Sequence, residues 1–237
     1  MMHGINKLID DEIFYHHFQP VFNLSVNQPI GYETLLRTTM FDNPAMVFNS
    51  AIEVNRLFEL DVKSLKKSIE TISNHDALKD DQLLFVNIYP TNLADNKFEE
   101  FVTEILHRCS LKPYQIVFEI NEGEVIKDME ILQEKIKQLR NLGCLLAIDD
   151  VGKGAASLRV MIETQPDFIK LDKYFSNELS ESTYKQALIK SFITYCEGTH
   201  TKLVLEGLEE GKDLQTAIKM GVILGQGFLL GKPKPIN

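Results

Sequence analysis

Cysteine is scarce in this sequence. Cys109, Cys144 and Cys196 are the only three among 237 residues, far apart and without CxxC spacing, so neither a disulfide framework nor a thiolate zinc site is suggested. Reduced thiols in a cytoplasmic protein are the expectation. Positive charge is also in short supply: 25 Lys and Arg against 34 Asp and Glu leave a formal charge of -9. That balance argues against duplex nucleic acid as a partner, because affinity there comes from neutralising phosphates with basic side chains. No stretch approaches the roughly 18 uninterrupted apolar residues of a membrane span. The opening "MMHGINKLIDDEIF" has no cationic segment followed by a long apolar run, so neither export nor a membrane segment is expected. Ser/Gly linkers, charge blocks and low-complexity stretches are missing as well. With 44% hydrophobic residues there is enough apolar material for a substantial core, and one domain over residues 1–237 is the economical reading.

What is present is an alternation of short apolar runs and helical stretches. "HHFQPVFNL" and "PIGYETLLR" read as adjacent antiparallel strands joined by "SVNQ". Six more runs follow: "LLFVN" (83–87), "IVFE" (116–119), "LLAIDD" (145–150), "FIK" (168–170), "LVLE" (203–206) and "VILGQ" (222–226). Between them, segments such as "EILQEKIKQLRNLG" place Ile131, Leu132, Ile136 and Leu139 near one helix face, with Gly143 as terminator. Strand then helix, repeated, means parallel strands with crossover helices. Eight strands suggest an α/β fold, a closed TIM-like (β/α)8 barrel.

Nearly every run ends at, or just before, a residue that is costly to bury: Glu33, Asn87, Glu119, Asp149 with Asp150, Lys170, Glu206 and Gln226. In a barrel these ends converge on the carboxyl-terminal mouth, where active sites of this architecture lie. A polar strand end is unremarkable singly, but the series forms a pattern. Carboxylates packed around one mouth repel one another unless cations intervene. Oxygen donors without Cys or His suit Mg²⁺ or Mn²⁺, and adjacent aspartates can bring two ions together. Such a pair of ions is suited to phosphodiester hydrolysis, orienting water and stabilising the leaving oxygen. Lys170 could position that water, or pair with a neighbouring carboxylate to offset its charge. Elsewhere, His16 and His17 are strand neighbours that point to opposite faces and cannot chelate one ion. Phe14, Tyr15 and Phe18 read as core or barrel-bottom packing.

These residues resemble the EAL-domain cyclic di-GMP phosphodiesterases from about Phe18 to Pro233. "FQPVFNL", "GYETLLR", "FVNIYP", "FEINEGE", "AIDDVGKGAAS", "DFIKLD", "LEGLEE" and "GQGFLLGKP" occur in the family's order, with Thr34 in place of the usual alanine. The resemblance implies a barrel whose first strand is antiparallel, hydrolysing cyclic di-GMP to linear pGpG with two Mg²⁺ or Mn²⁺ ions. By the same carry-over Glu33, Asn87, Glu119 and Asp149 look like ligands of the first ion. Asp149 and Asp150 look like contributors to the second, with Glu206 beside them. Lys170 resembles the water-positioning lysine, acting with Glu33 and Glu206 in catalysis. Gln19, Leu36, Arg37, Glu209 and Gln226 fall at substrate-contacting positions. The family also suggests a homodimer and regulation through a protein partner.

The departures from the family pattern cluster after the paired aspartates. The usual "DFGTGYSS" reads "DVGKGAAS" here: Val151 replaces Phe, Lys153 replaces Thr, and Ala155 and Ala156 replace Tyr and Ser. Asn121 replaces a threonine beside Glu122, which stands where the family holds this loop. An altered loop behind the metal-bearing aspartates keeps a second reading open, a weak or inactive cyclic di-GMP receptor that signals through a partner. A third reading, a metal-dependent barrel enzyme acting on another anion, follows from the strand ends alone.

Overall fold

The computed structural model describes residues 2–121, 128–153 and 157–236. Among them, the strands β1 (Tyr15–Asn23), β2 (Gln28–Arg37), β3 (Leu83–Ile88), β4 (Ile116–Asn121), β5 (Leu145–Val151), β6 (Phe168–Leu171), β7 (Lys202–Leu205) and β8 (Leu224–Gly225) form one closed barrel in chain order. β1 runs antiparallel to both β2 and β8, and the other neighbours are parallel. The barrel therefore has the expected architecture with its first strand reversed. β8 is shorter than the run "VILGQ" suggested, with two residues bridging β7 and β1.

Helices on the outside are α1 (Met2–Asp10), α2 (Pro44–Glu53), α3 (Leu57–His75), α4 (Pro90–Leu93), α5 (Asn96–Arg108), α6 (Met129–Asn141), α7 (Ser157–Thr164), α8 (Thr183–Glu197) and α9 (Gly211–Lys219). α6 shows how sequence makes one of them. The Asp128 side chain caps its start by accepting from the amides of Glu130 and Ile131, meeting donors that a first turn leaves unpaired. Leu132, Ile136 and Leu139 are buried at the spacing of one helix face. Ile131, expected on that face, is 42% exposed; one step of 100° from Leu132 carries it to the rim. Gly143 follows the helix with φ +90°, a conformation that favours a residue without Cβ.

Inside the barrel, Val21, Phe85, Val117, Ala147, Phe168, Val204 and Leu224 form an apolar layer, with Phe85 and Phe168 edge to face at 5.2 Å. Outside it, strand residues such as Leu84, Phe118, Leu146 and Ile169 pack under the helices in the main core. A smaller core joins Ile5, Leu8 and Ile9 of α1 to Val47 and Ala51 of α2, Leu60 of α3, Phe14 and Leu36. Because β1 is reversed, its first residue Tyr15 pairs with Arg37, the last of β2. Phe14 therefore packs at the carboxyl end of the parallel strands and not at the barrel bottom. Tyr15 is 46% exposed and lies against His17, on the strand face opposite Phe14 and His16.

Candidate active site

Side chains alternate faces along a strand, so the residue two positions from each member of the apolar layer points into the barrel one level away. Those residues are Gln19, Asn87, Glu119, Asp149, Lys170, Glu206 and Gln226, and on β2 the same level is held by Glu33. A polar layer thus sits directly on an apolar floor.

Lys170 is its centre. The side chain is fully buried, and Nζ lies 3.1 Å from Glu33, 2.8 Å from Glu119, 3.2 Å from Asp149 and 2.9 Å from Glu206. An ammonium carries three hydrogens, too few for four carboxylates. Both oxygens of Glu119 and Oδ1 of Asp149 are buried without a well-directed hydrogen bond among the described residues. Gln226 donates to Glu33 Oε2 at 2.6 Å, and Asn87 makes a longer contact of 3.4 Å with Oε1.

The electrostatics follow from crowding in a dry place. Burial raises the Glu119 carboxyl well above its usual range; Lys170 opposes this, while Glu33 and Asp149 add to it. Burial likewise pushes Asp149 up, and Glu206 up to about 8. For Lys170, burial favours the neutral amine, but the four carboxylates outweigh it and hold the ammonium charged. The cluster thus contains more acidic groups than one lysine can balance in ionised form, and burial keeps protons on them.

Asp149 and Asp150 are adjacent, so a regular strand would send them to opposite faces. The β5–β6 register shifts between Ile148 and Val151, and Asp150 adopts φ +55°. This irregularity keeps both carboxylates at the rim: Asp149 reaches Lys170, and Asp150 accepts from Asn121 at 2.7 Å and Lys153 at 3.0 Å. Burial works to raise the Asp150 carboxyl, but these two donors outweigh it and lower it.

Beside the cluster opens a cleft of about 460 Å³ lined by Glu33, Leu36, Arg37, Asn87 and Asn121. Gln19 is buried and donates to the Gly231 carbonyl at 3.1 Å. Leu36 is largely packed into the small core. Glu209 stands apart, exposed beside Lys173 and Asp213 in a separate depression. Glu122, Ala155 and Ala156 lie outside the described residues. The cleft also includes residues that the strand-end pattern missed: Asp61 and Ser64 from α3, Phe48 from α2, and Tyr89. The signal for the α3 pair was polar side chains among the buried positions Leu60, Leu65 and Ile69. His16 and His17 do not share a site; His16 is buried against Ser64 at 2.9 Å.

Among the described residues no three Asp, Glu, His or Cys side chains are arranged to hold a metal ion as they stand, because the carboxylates turn onto the lysine. The donor set still fits hard divalent cations. Five carboxylates and Asn87 offer oxygen ligands, and three buried carboxylate oxygens have no well-directed hydrogen bond among the described residues.

A family model described as "EAL domain" matches residues 4–233. The probable cyclic di-GMP phosphodiesterase PdeI of Escherichia coli K12 is 27% identical over 93% of this chain and 29% of its own length. The cyclic di-GMP phosphodiesterase PdeA of Borreliella burgdorferi is 26% identical over 98% of this chain and 35% of its own. The chain spans about a third of the length of these relatives. Klebsiella pneumoniae BlrP1, solved with calcium and cyclic di-GMP, superposes with a TM-score of 0.86 at 27% identity, covering 94% of this chain and 56% of that one. An EAL domain protein from Listeria monocytogenes has the same fold, with a TM-score of 0.87 at 23% identity over 99% of this chain and 94% of that one.

Proposed function

Because the chain belongs to the EAL domain family, we propose that it is a divalent-cation-dependent phosphodiesterase that opens cyclic di-GMP to linear pGpG. The observation that carries this reading is the fully buried Lys170 within 3.2 Å of carboxylates from Glu33, Glu119, Asp149 and Glu206. The names of the relatives and the ligands of BlrP1 support the substrate and the need for a cation. Glu33, Asn87, Glu119 and Asp149 would hold one ion, and Asp149 and Asp150, with Glu206 nearby, a second. Bound divalent cations supply positive charge and make coordinated water acidic enough to give hydroxide near neutral pH. Lys170 orients the attacking water and offsets charge as it builds on the phosphate. Water adds hydroxyl to phosphorus, the bond to one ribose 3′ oxygen breaks, and that oxygen leaves with the proton.

Arg37 at the cleft wall suits a substrate phosphate, since a guanidinium donates two parallel hydrogen bonds. Gln19, Leu36 and Gln226 belong to the same substrate-contacting set. The exposed Glu209 is reserved for an outer part of the ligand. The chain acts as one catalytic domain, as a homodimer, in the reducing cytoplasm, where three unpaired cysteines are stable. A regulatory protein partner supplies its signal. Among the described residues no helix is long and apolar enough to cross a membrane.

The receptor reading has one observation in its favour: Asp150 is already engaged by Asn121 and Lys153. The deciding experiment is conversion of cyclic di-GMP to pGpG in Mn²⁺ and Mg²⁺ beside Glu33→Ala. Product that vanishes in the variant supports the enzyme. Tight nucleotide binding without product supports the receptor.

A further inference from the structure

Two departures from the family pattern, Asn121 and Lys153, meet on one atom. Asn121 Nδ2 lies 2.7 Å and Lys153 Nζ 3.0 Å from Oδ2 of Asp150. They come from different elements, the end of β4 and the turn after β5. A threonine, the residue the family pattern has at both places, carries neither a charge nor an arm long enough to do the same. An ammonium and an amide on one carboxylate oxygen take two of the carboxylate's four lone-pair positions, so a hard cation at that oxygen must displace one of them. Lys153 also brings a positive charge to the carboxylate, which a second ion must displace or tolerate.

We propose that Lys153 and Asn121 form a clasp that holds Asp150 and competes with the second divalent cation. The chain then fills its ion sites in sequence, the first through Glu33, Glu119 and Asp149, the second only when Lys153 releases Asp150. The lysine side chain is 65% exposed, so release into water is easy and the clasp is weak enough to be a control rather than a block. This rests on the two-ion reading above and adds to it a built-in dependence of activity on free cation concentration.

The test is a Mn²⁺ titration of the nucleotide-free protein, counting bound ions by electron paramagnetic resonance. Wild type should show one tight and one weak ion. Lys153→Thr should tighten the weak ion by about two- to fivefold, the scale of a partly exposed charge pair, and leave the tight one unchanged. Adding Asn121→Thr should tighten it further, and Lys153→Arg should restore the weak binding. Thermal unfolding without metal checks that each variant is folded. Two equally tight ions in wild type, or a weak ion indifferent to Lys153→Thr, would overturn the clasp and leave the phosphodiesterase reading standing. A wild type that takes up no Mn²⁺ would overturn both.

Discussion

Lys170 Nζ stands 2.8 Å from Glu119 Oε1, and neither side chain is exposed to solvent. Each is tolerated in the barrel interior because the other is there, and three further carboxylates depend on the same ammonium. Removing one partner of a buried pair leaves an uncompensated charge and costs about 3–5 kcal/mol. Lys170→Met should therefore lower the melting temperature steeply in chelator. Mn²⁺ should raise it by more in the variant than in wild type, because the cation then supplies the missing charge. Turnover of cyclic di-GMP should fall by at least about 100-fold. A variant that melts with wild type in chelator would show that the lysine is not what makes the carboxylates tolerable.

The same crowding sets a pH dependence. Burial holds the Glu206 carboxyl at about 8, against an ordinary 4.5. Between those values the folded chain keeps a proton that the unfolded chain has lost, so stability falls as pH rises. His16 works the other way: burial depresses it from 6.5 to about 3, so its contribution is lost as pH falls below 6.5. The window from pH 6.5 to 8 therefore isolates the carboxylates. In chelator the melting temperature should decline across it, and Glu206→Gln should flatten the decline. A melting temperature that holds level or climbs in wild type would contradict the assignment.

Gly31 lies two residues before Glu33, where β2 pairs with Leu83 of β3. A Cβ added there would stand 2.1 Å from the Leu83 carbonyl oxygen, and backbone cannot swing aside as a side chain can. Gly31→Ala should separate the strands locally and cost about 1–3 kcal/mol. Since Glu33 sits just above, cyclic di-GMP hydrolysis should fall by more than the loss of folded protein explains. Parallel measurement of unfolding and turnover separates the two effects, and a variant with both unchanged would refute the close approach.

Much of this site was legible because a barrel strand has a period of two and an end. Glu119, Asp149 and Lys170 each follow an apolar residue of the inner layer by two positions, so reading polar residues at the ends of apolar runs found the polar layer. The pairing of Lys170 with carboxylates was also open to view, though not its fourfold convergence, which depends on barrel closure. Asp61 stayed hidden because an acid in a helix reads as a solvated face until burial is known. The Asp150 pairing with Lys153 depends on a bulge, and a local register shift leaves no periodic trace. Ile131 shows the remaining error, one helical step at the edge of a stripe.

Asp61 is the place where α3 controls the mouth. Its Oδ2 accepts from the Tyr89 amide at 3.0 Å and from Asn92 Nδ2 at 2.7 Å, fixing the turn two residues beyond Asn87. Burial pushes its carboxyl up to about 6, with the two donors pulling the other way. Asp61→Ala would remove the acceptor that the Tyr89 amide and the Asn92 side chain share, a loss of about 2–3 kcal/mol. Asp61→Asn can keep an oxygen in the same place and should cost under about 1 kcal/mol, since both hydrogen bonds survive. If the turn positions Asn87 for its cation, Asp61→Ala should also raise the Mn²⁺ concentration needed for half-maximal turnover, and Asp61→Asn should not. Equal losses in the two variants would mean that the charge of Asp61, and not its grip on Tyr89 and Asn92, is what the mouth requires.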